Sequence, residues 1–236
     1  MDYTKTNILV QISRKAIILF FAILLTSCDP DEFIVELHAD DIEAARNGDP
    51  LVVPATISFQ LLGDDEEGQL EKAIEIVKKY VAEDSKIATS NVSLGKKLTV
   101  TTTIPLGVAV KVLAHVEHQK RPMFLELVDK DPTFSTHPLN VRLAVNEAKM
   151  KEMNEELEET SFLFKLGETP QNTVFNITGS KEESQLMIVG AFVNDEAVLK
   201  REETLKPRQR MALSFGAADM NKRSIWDHIR PQFFIK

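Results

Sequence analysis

A chain of 236 residues has few side-chain types able to do chemistry, and here they form few groupings. His115 and His118, with Glu117 between them, are the only close histidine pair. On a helix they would share a face and could hold zinc. The alternation of Val108, Val110, Val112, Ala114 and Val116 instead predicts a strand, which would point residues i and i+3 to opposite faces. The HExxH order is also missing, so no metal site is expected. Asp40-Asp41 and Asp64-Asp65-Glu66-Glu67 could suggest calcium. Both runs open predicted helices, where capping and the helix dipole account for carboxylates, and the EF-hand spacing is absent. No nucleophile elbow, P-loop or dinucleotide fingerprint occurs. Ser58, Ser93 and Ser214 lie in predicted strands, with nothing to place a base nearby. No catalytic residue and no cofactor is expected. Lys120-Arg121 and Arg208-Gln209-Arg210 stand at predicted bends. With Trp226, which has His228 and Arg230 nearby, they form a candidate contact surface. The formal net charge of -8 leaves no basic excess for nucleic acid. The single cysteine, Cys28, excludes an intramolecular disulfide and a thiolate-rich zinc site.

Residues 1–27 read as an address. The basic pair Arg14-Lys15 precedes ten unbroken apolar residues, Ala16 to Leu25. That run is too short for the roughly 20 residues a bilayer span needs and suits the apolar core of a secretory signal. Thr26 and Ser27 are small, and Cys28 follows directly. Leu25-Thr26-Ser27-Cys28 resembles the lipobox of bacterial lipoprotein signal peptides. The resemblance implies cleavage before Cys28 and acylation of that residue, so that the lipid bilayer is a partner through the acylated cysteine. Asp29 at the next position is similar to the inner-membrane retention signal of enteric lipoproteins. In a Gram-negative host it favours the periplasmic face of the inner membrane, and in a Gram-positive host the anchor would lie at the cell surface.

The rest of the chain predicts the elements that must position any site. Asp29 to Glu32 form an acidic tether. Phe33, Val35, Leu37 and Ala39 alternate as a first strand. Asp40 and Glu43 suggest a capping box on a short helix ended by Asn47-Gly48 and Pro50. Ala55, Ile57, Phe59 and Leu61 mark a strand. Leu70, Ala73, Ile74, Val77 and Val81 set a helix over about 65–83 with Ile74 and Val77 in mid-stripe. Leu98 to Ile104 make a strand ended by Pro105 and Gly107. Residues 108–116 and 123–127 supply two more. Leu139 to Val145 follow, then a charged helix with Met150, Met153 and Leu157 on one face and Glu147 placed to pair with Lys151. Strands follow at Val174 to Thr178, at Leu186 to Phe192, from Ala197, and at Met211 to Phe215. The tail ending in Phe233-Phe234-Ile235 is a last strand docked on a sheet.

The fold class is therefore α+β, mainly antiparallel sheet with two longer helices. Residues 28–49 hold the tether, first strand and short helix. Residues 50–132 and 133–236 repeat a similar element order, and Ala109-Val110 and Met123-x-Leu125 match Ala197-Val198 and Met211-x-Leu213. That pattern suggests an internal duplication of a β-α-β-β-β-β unit, with the two basic bends at equivalent ends. The functional expectation is a membrane-anchored, non-enzymatic accessory or binding lipoprotein whose partner is another envelope protein. A carrier would instead show an apolar pocket near Phe59, Leu61, Met150 and Met153, and a hydrolase would show His, Ser or carboxylates meeting in a cleft.

Overall fold

The computed structural model describes residues 30–62, 68–92, 95–129, 139–160, 172–216 and 231–236. The side chains of 30–31 and 60–62 are outside that description. The chain is α+β, as its patterns indicate. Strand β1 (Pro30–His38) buries Phe33, Val35 and Leu37 and exposes Glu36 and His38. Helix α1 (Ala39–Asn47) follows without a break. Its N-cap is His38, with no side-chain bond, and Asp40 sits one residue inside the first turn. The expected capping box is thus not formed. Asp40 and Asp41 instead act on the dipole of the helix start. Gly48 ends the helix by donating to the Ala44 carbonyl at 2.9 Å.

Strand β2 (Leu51–Leu62) leads to α2 (Gln69–Tyr80) through Gly68, whose φ of 70° suits glycine. The helix is shorter than 65–83, and its acidic approach, Asp64 to Glu67, lies outside the described residues. Its buried stripe is Leu70, Ala73, Ile76, Val77 and Tyr80. Ile74 lies at the edge of this stripe, half-buried, rather than at its centre. β3 (Lys86–Val92) and β4 (Gly95–Gly107) form a hairpin. Pro105 lies inside β4, beyond the last β3 pairing at Lys86–Thr101, where a missing N–H costs no ladder bond to β3.

Residues 108–116 are not a strand. They hold α3 (Ala109–Ala114), followed by a 3-10 turn at His118–Lys120. Val112 packs on Phe124 and Ala144, while Val110 and Leu113 face solvent. β5 (Met123–Asp129), β6 (Leu139–Val145) and α4 (Glu147–Thr160) come next. Asn146 caps α4 by accepting from the Lys149 N–H at 3.4 Å. Met150, Met153 and Leu157 are buried as their spacing requires. Lys151 pairs with Glu155 at 3.6 Å rather than with Glu147. β7 (Asn172–Thr178), β8 (Ser184–Val193), β9 (Glu196–Leu205), β10 (Arg210–Gly216) and β11 (Gln232–Ile235) complete the order. Asn194 and Asp195, at φ 47° and 70°, form the two-residue turn between β8 and β9.

The strands pair in the order β10-β7-β1-β2-β4-β5-β6-β11-β8, and β8 pairs back to β10. The sheet thus closes into a nine-strand barrel, with β3 and β9 as appended edges. The β1–β7 and β4–β5 joints are parallel and the other seven antiparallel. Aligned strands would need an even number of antiparallel joints to return to their starting direction. The strands must therefore splay, and the two joints only two residue pairs long, β4–β5 and β8–β10, are where they can. Phe175 lies in the interior with Phe215 and Phe233 edge-on at centroid distances of 5.7 and 5.5 Å. α2 and α4 pack against each other and add Val77, Met150 and Met153 to the core.

Residues 50–132 and 133–236 share this one sheet, and they do not share a pairing scheme. In the first segment β2 pairs β4. In the second, the strand in the position of β2 is β6, and it pairs β5 and β11. Ala109-Val110 opens a helix, whereas Ala197-Val198 lies in β9. The similar element orders therefore do not translate into two equivalent folded units.

Candidate functional site

β1 carries the chain from one end of the barrel to the other. Its nine residues span roughly 26 Å at 3.3 Å per residue. At the end remote from Pro30 the chain turns into α1, and there an open cleft of about 570 Å³ is found. One wall is α1, with Asp40, Glu43 and Arg46. The other is the β7–β8 turn, with Lys181, Glu182 and Glu183, and the end of β11 adds Lys236. Ile42, Leu139 and Ile235 give the cleft an apolar floor. Ser180 shapes the turn, donating from Oγ to the Glu182 carbonyl at 2.8 Å and accepting from the Glu182 N–H at 3.0 Å. Arg46 is held by Asp129 at 2.7 Å. Ser184 is 9% exposed and lines the cleft.

Of the residues singled out in the sequence, Leu25, Thr26, Ser27, Cys28 and Asp29 lie outside the described residues, as does Trp226 with His228 and Arg230. The two basic bends do not form one face. Lys120 and Arg121 precede β5 at the end where Met123 pairs with Val145, and Lys120 faces Glu117 at 3.6 Å. Burial holds the Arg121 guanidinium below its ordinary pKa, against the pull of Glu117, Asp84 and Glu83. Arg208 donates its N–H to Gly179, and Arg210 pairs with Thr178, at the end of β7 that borders the cleft. Leu139, at the other end of β6 from Val145, belongs to that same cleft. The bends are thus separated by the length of a strand, and the expected common surface is not assembled. The residues that do meet, Glu43, Lys181, Glu182, Glu183 and Ser184, carried a weak signal. A polar Ser-Lys-Glu-Glu-Ser run between two strands reads as an ordinary turn.

The histidine pair is neither on a strand nor diverging. The rings of His115 and His118 stack with centroids 4.0 Å apart and planes 23° apart. His118 is buried, and its Nδ1 has no hydrogen-bond partner. Among the described residues no group of three or more His, Cys, Asp or Glu could hold a metal ion. Burial, then His115 and Arg121, lower the His118 pKa below 6.5, and Glu117 opposes them. The folded state therefore disfavours the imidazolium. Stability from this group is complete above the unfolded value of about 6.5 and is lost as pH falls from there through the folded value. Thermal unfolding followed at pH 7.5 and 5.5 should show a larger drop in midpoint for wild type than for His118→Gln.

The remaining polar cluster ties the helices together. Tyr80 donates to Glu156 Oε1 at 2.7 Å, and Lys79 pairs with Glu156 Oε2. Burial, reinforced by Glu156, pushes the Tyr80 phenol well above its usual value, and the bonds from Lys79 and Tyr80 hold the Glu156 carboxyl down. Phe59, Met150 and Met153 line an apolar void of about 30 Å³ together with Ile57, Val77 and Met123. That is space for one water, far short of the roughly 300–1,000 Å³ of a ligand pocket.

Comparison with protein-family models finds no match for this chain, and comparison with curated proteins finds none either. No helix of the described residues is long and apolar enough to cross a membrane.

Proposed function

We propose that the protein is a bacterial lipoprotein, anchored through acylated Cys28, that works as a non-enzymatic accessory or binding module for another envelope protein. One observation carries this reading. A single residue, Asp29, separates Cys28 from Pro30, where β1 begins. Two residues reach about 7 Å at most. The lipid would hold the Pro30 end of the barrel close to the bilayer, and the cleft at the other end of β1 would face away from it. Two or more acyl chains suffice for stable anchoring. Asp29 favours the periplasmic face of the inner membrane if the host is Gram-negative. A carrier role is less well supported, because Phe59, Met150 and Met153 enclose too little space. A hydrolase role would use Ser184, but no side chain of the described residues forms the hydrogen bond to it that an activating base would make.

The anchor has a direct test. Cells fed an alkyne fatty acid should label the wild type, and Cys28→Ser should lose all of the label. Equal labelling of both proteins would end the lipoprotein reading.

A further inference from the structure

We propose that the crossover from β4 to β5 is an acid-released flap, pinned by the buried His118, whose opening bares Phe124 and Ala144 on the outer face of the sheet.

The flap is held at few points. Across residues 109–120, Val112 and His118 alone are buried. Val110, Leu113 and Val116 face solvent. Val112 sits on Phe124 and Ala144, with Ala109 at the margin. Met123, Leu125 and Leu127 belong to the main core, so Phe124, alternating with them on β5, points to the opposite face. Lys111 Nζ donates to the Gly48 carbonyl at 2.6 Å, and Asn146 Nδ2 donates to the Gln119 carbonyl at 3.0 Å. A segment with so few buried contacts can open without unfolding the rest of the chain.

His118 makes one of the two pins ionisable. Its ring stacks on His115 at a centroid distance of 4.0 Å, and its Nδ1 is buried with no hydrogen-bond partner. The neutral ring can leave Nδ1 bare. The imidazolium must carry an N–H there, and a buried charged donor without an acceptor is strongly disfavoured. The surrounding charges act mostly in the same sense. His115 and Arg121 work against a proton on His118, and Glu117 works for it. Lys120 lies 3.6 Å from Glu117 and competes for that carboxylate. From the connection between α2 and β3, Glu83 and Asp84 act on Arg121. From the junction of β6 and α4, the group in contact is the uncharged Asn146. In the open flap the ring regains water, and its pKa returns to the ordinary value of about 6.5. Opening therefore takes up a proton. It is most disfavoured at neutral pH and is eased as pH falls below about 6.5. One such group can raise the open population by at most about tenfold between pH 7.5 and 5.5.

The test is hydrogen exchange of the full chain in detergent, read by mass spectrometry at pH 7.5 and 5.5 and scaled to the unfolded chain at each pH. Protection across 109–120 should fall several-fold at pH 5.5, while β1, β4 and β8 keep theirs. In His118→Gln the protection of this segment should be the same at both pH values, whether high or low. His115→Gln removes an opposing charge and should shrink the response, and Glu117→Gln should enlarge it. A merely structural role for these side chains would not produce that order, and the reverse order would count against the flap. Ala144→Cys in a Cys28→Ser chain should react with 4,4′-dithiodipyridine several-fold faster at pH 5.5 than at 7.5, relative to the same chain in urea. Loss of protection spread equally over all strands would show general acid unfolding and overturn the proposal. So would a pH response of 109–120 that survives His118→Gln, or protection there that does not change with pH.

Discussion

Phe175→Ala should lower the unfolding free energy by about 3–5 kcal/mol, the cost of truncating a buried aromatic and leaving the space unfilled. The position is at the extreme of its class. Its side chain is fully buried, and it meets Phe215 and Phe233 edge-on from two other strands. Such aromatic pairs are each worth about 0.5–1.5 kcal/mol beyond their buried area. Relaxation is hindered because the surrounding wall is a closed ring of hydrogen-bonded strands, which cannot collapse inward without breaking ladders. Urea unfolding of the full chain in detergent decides the matter. A large fall in midpoint at constant slope is expected. A midpoint within error of wild type would mean that these three rings do not share one interior.

Met150→Ala should cost about 2–5 kcal/mol, toward the upper part of that range, because the residue borders a void that already exists. Cavity volume adds to the penalty at about 24 cal/mol per Å³, and here the new space joins the old. The variant also separates packing from cargo. An enlarged apolar cavity stays dry and can accept a small apolar molecule. Benzene should therefore raise the thermal midpoint of Met150→Ala and leave wild type unmoved. If wild type itself gains stability with benzene or a longer apolar ligand, the core between α2, α4 and the sheet opens on demand, and the carrier reading regains weight.

Most of the sheet was legible because inward and outward residues alternate. Phe33, Val35 and Leu37, or Met211, Leu213 and Phe215, can be read as strands from spacing alone, and Met150, Met153 and Leu157 as a helix face. The failures have physical causes. Val108 to Val116 is rich in β-branched residues and alternates, yet it turns helical after Val108. There the Val108 carbonyl accepts from the Lys111 and Val112 N–H groups, and Val112 alone becomes fully buried, against Phe124 and Ala144. Tertiary context overrides propensity. β3 shows almost no apolar pattern, because it is an appended edge with most of its side chains in water. The closure of the barrel was not readable, since it depends on the parallel β1–β7 joint, and nothing local in either strand names the other. The cleft draws on α1, the 180–184 turn, Leu139 and the C-terminal strand. Its parts are unremarkable singly and meaningful only when folded together.

That parallel joint also sets the order in which the molecule can be made. Glu36 on β1 meets Asn176 on β7 across 140 residues, and Asn140 on β6 meets Gln232 on β11 across 92. Contacts of such long sequence separation are slow to form, because the loop must close before they repay its entropy. No early portion of the chain can complete a ring. A nascent or half-emerged chain would display bare flanks on β1, β6 and β8, each a template for pairing with a neighbouring molecule. Completion waits for the four-residue β11, which fills the gap between β6 and β8. A stop codon that removed only those last few residues would leave most of the hydrophobic interior encoded, and yet produce a protein prone to aggregate rather than one slightly shorter.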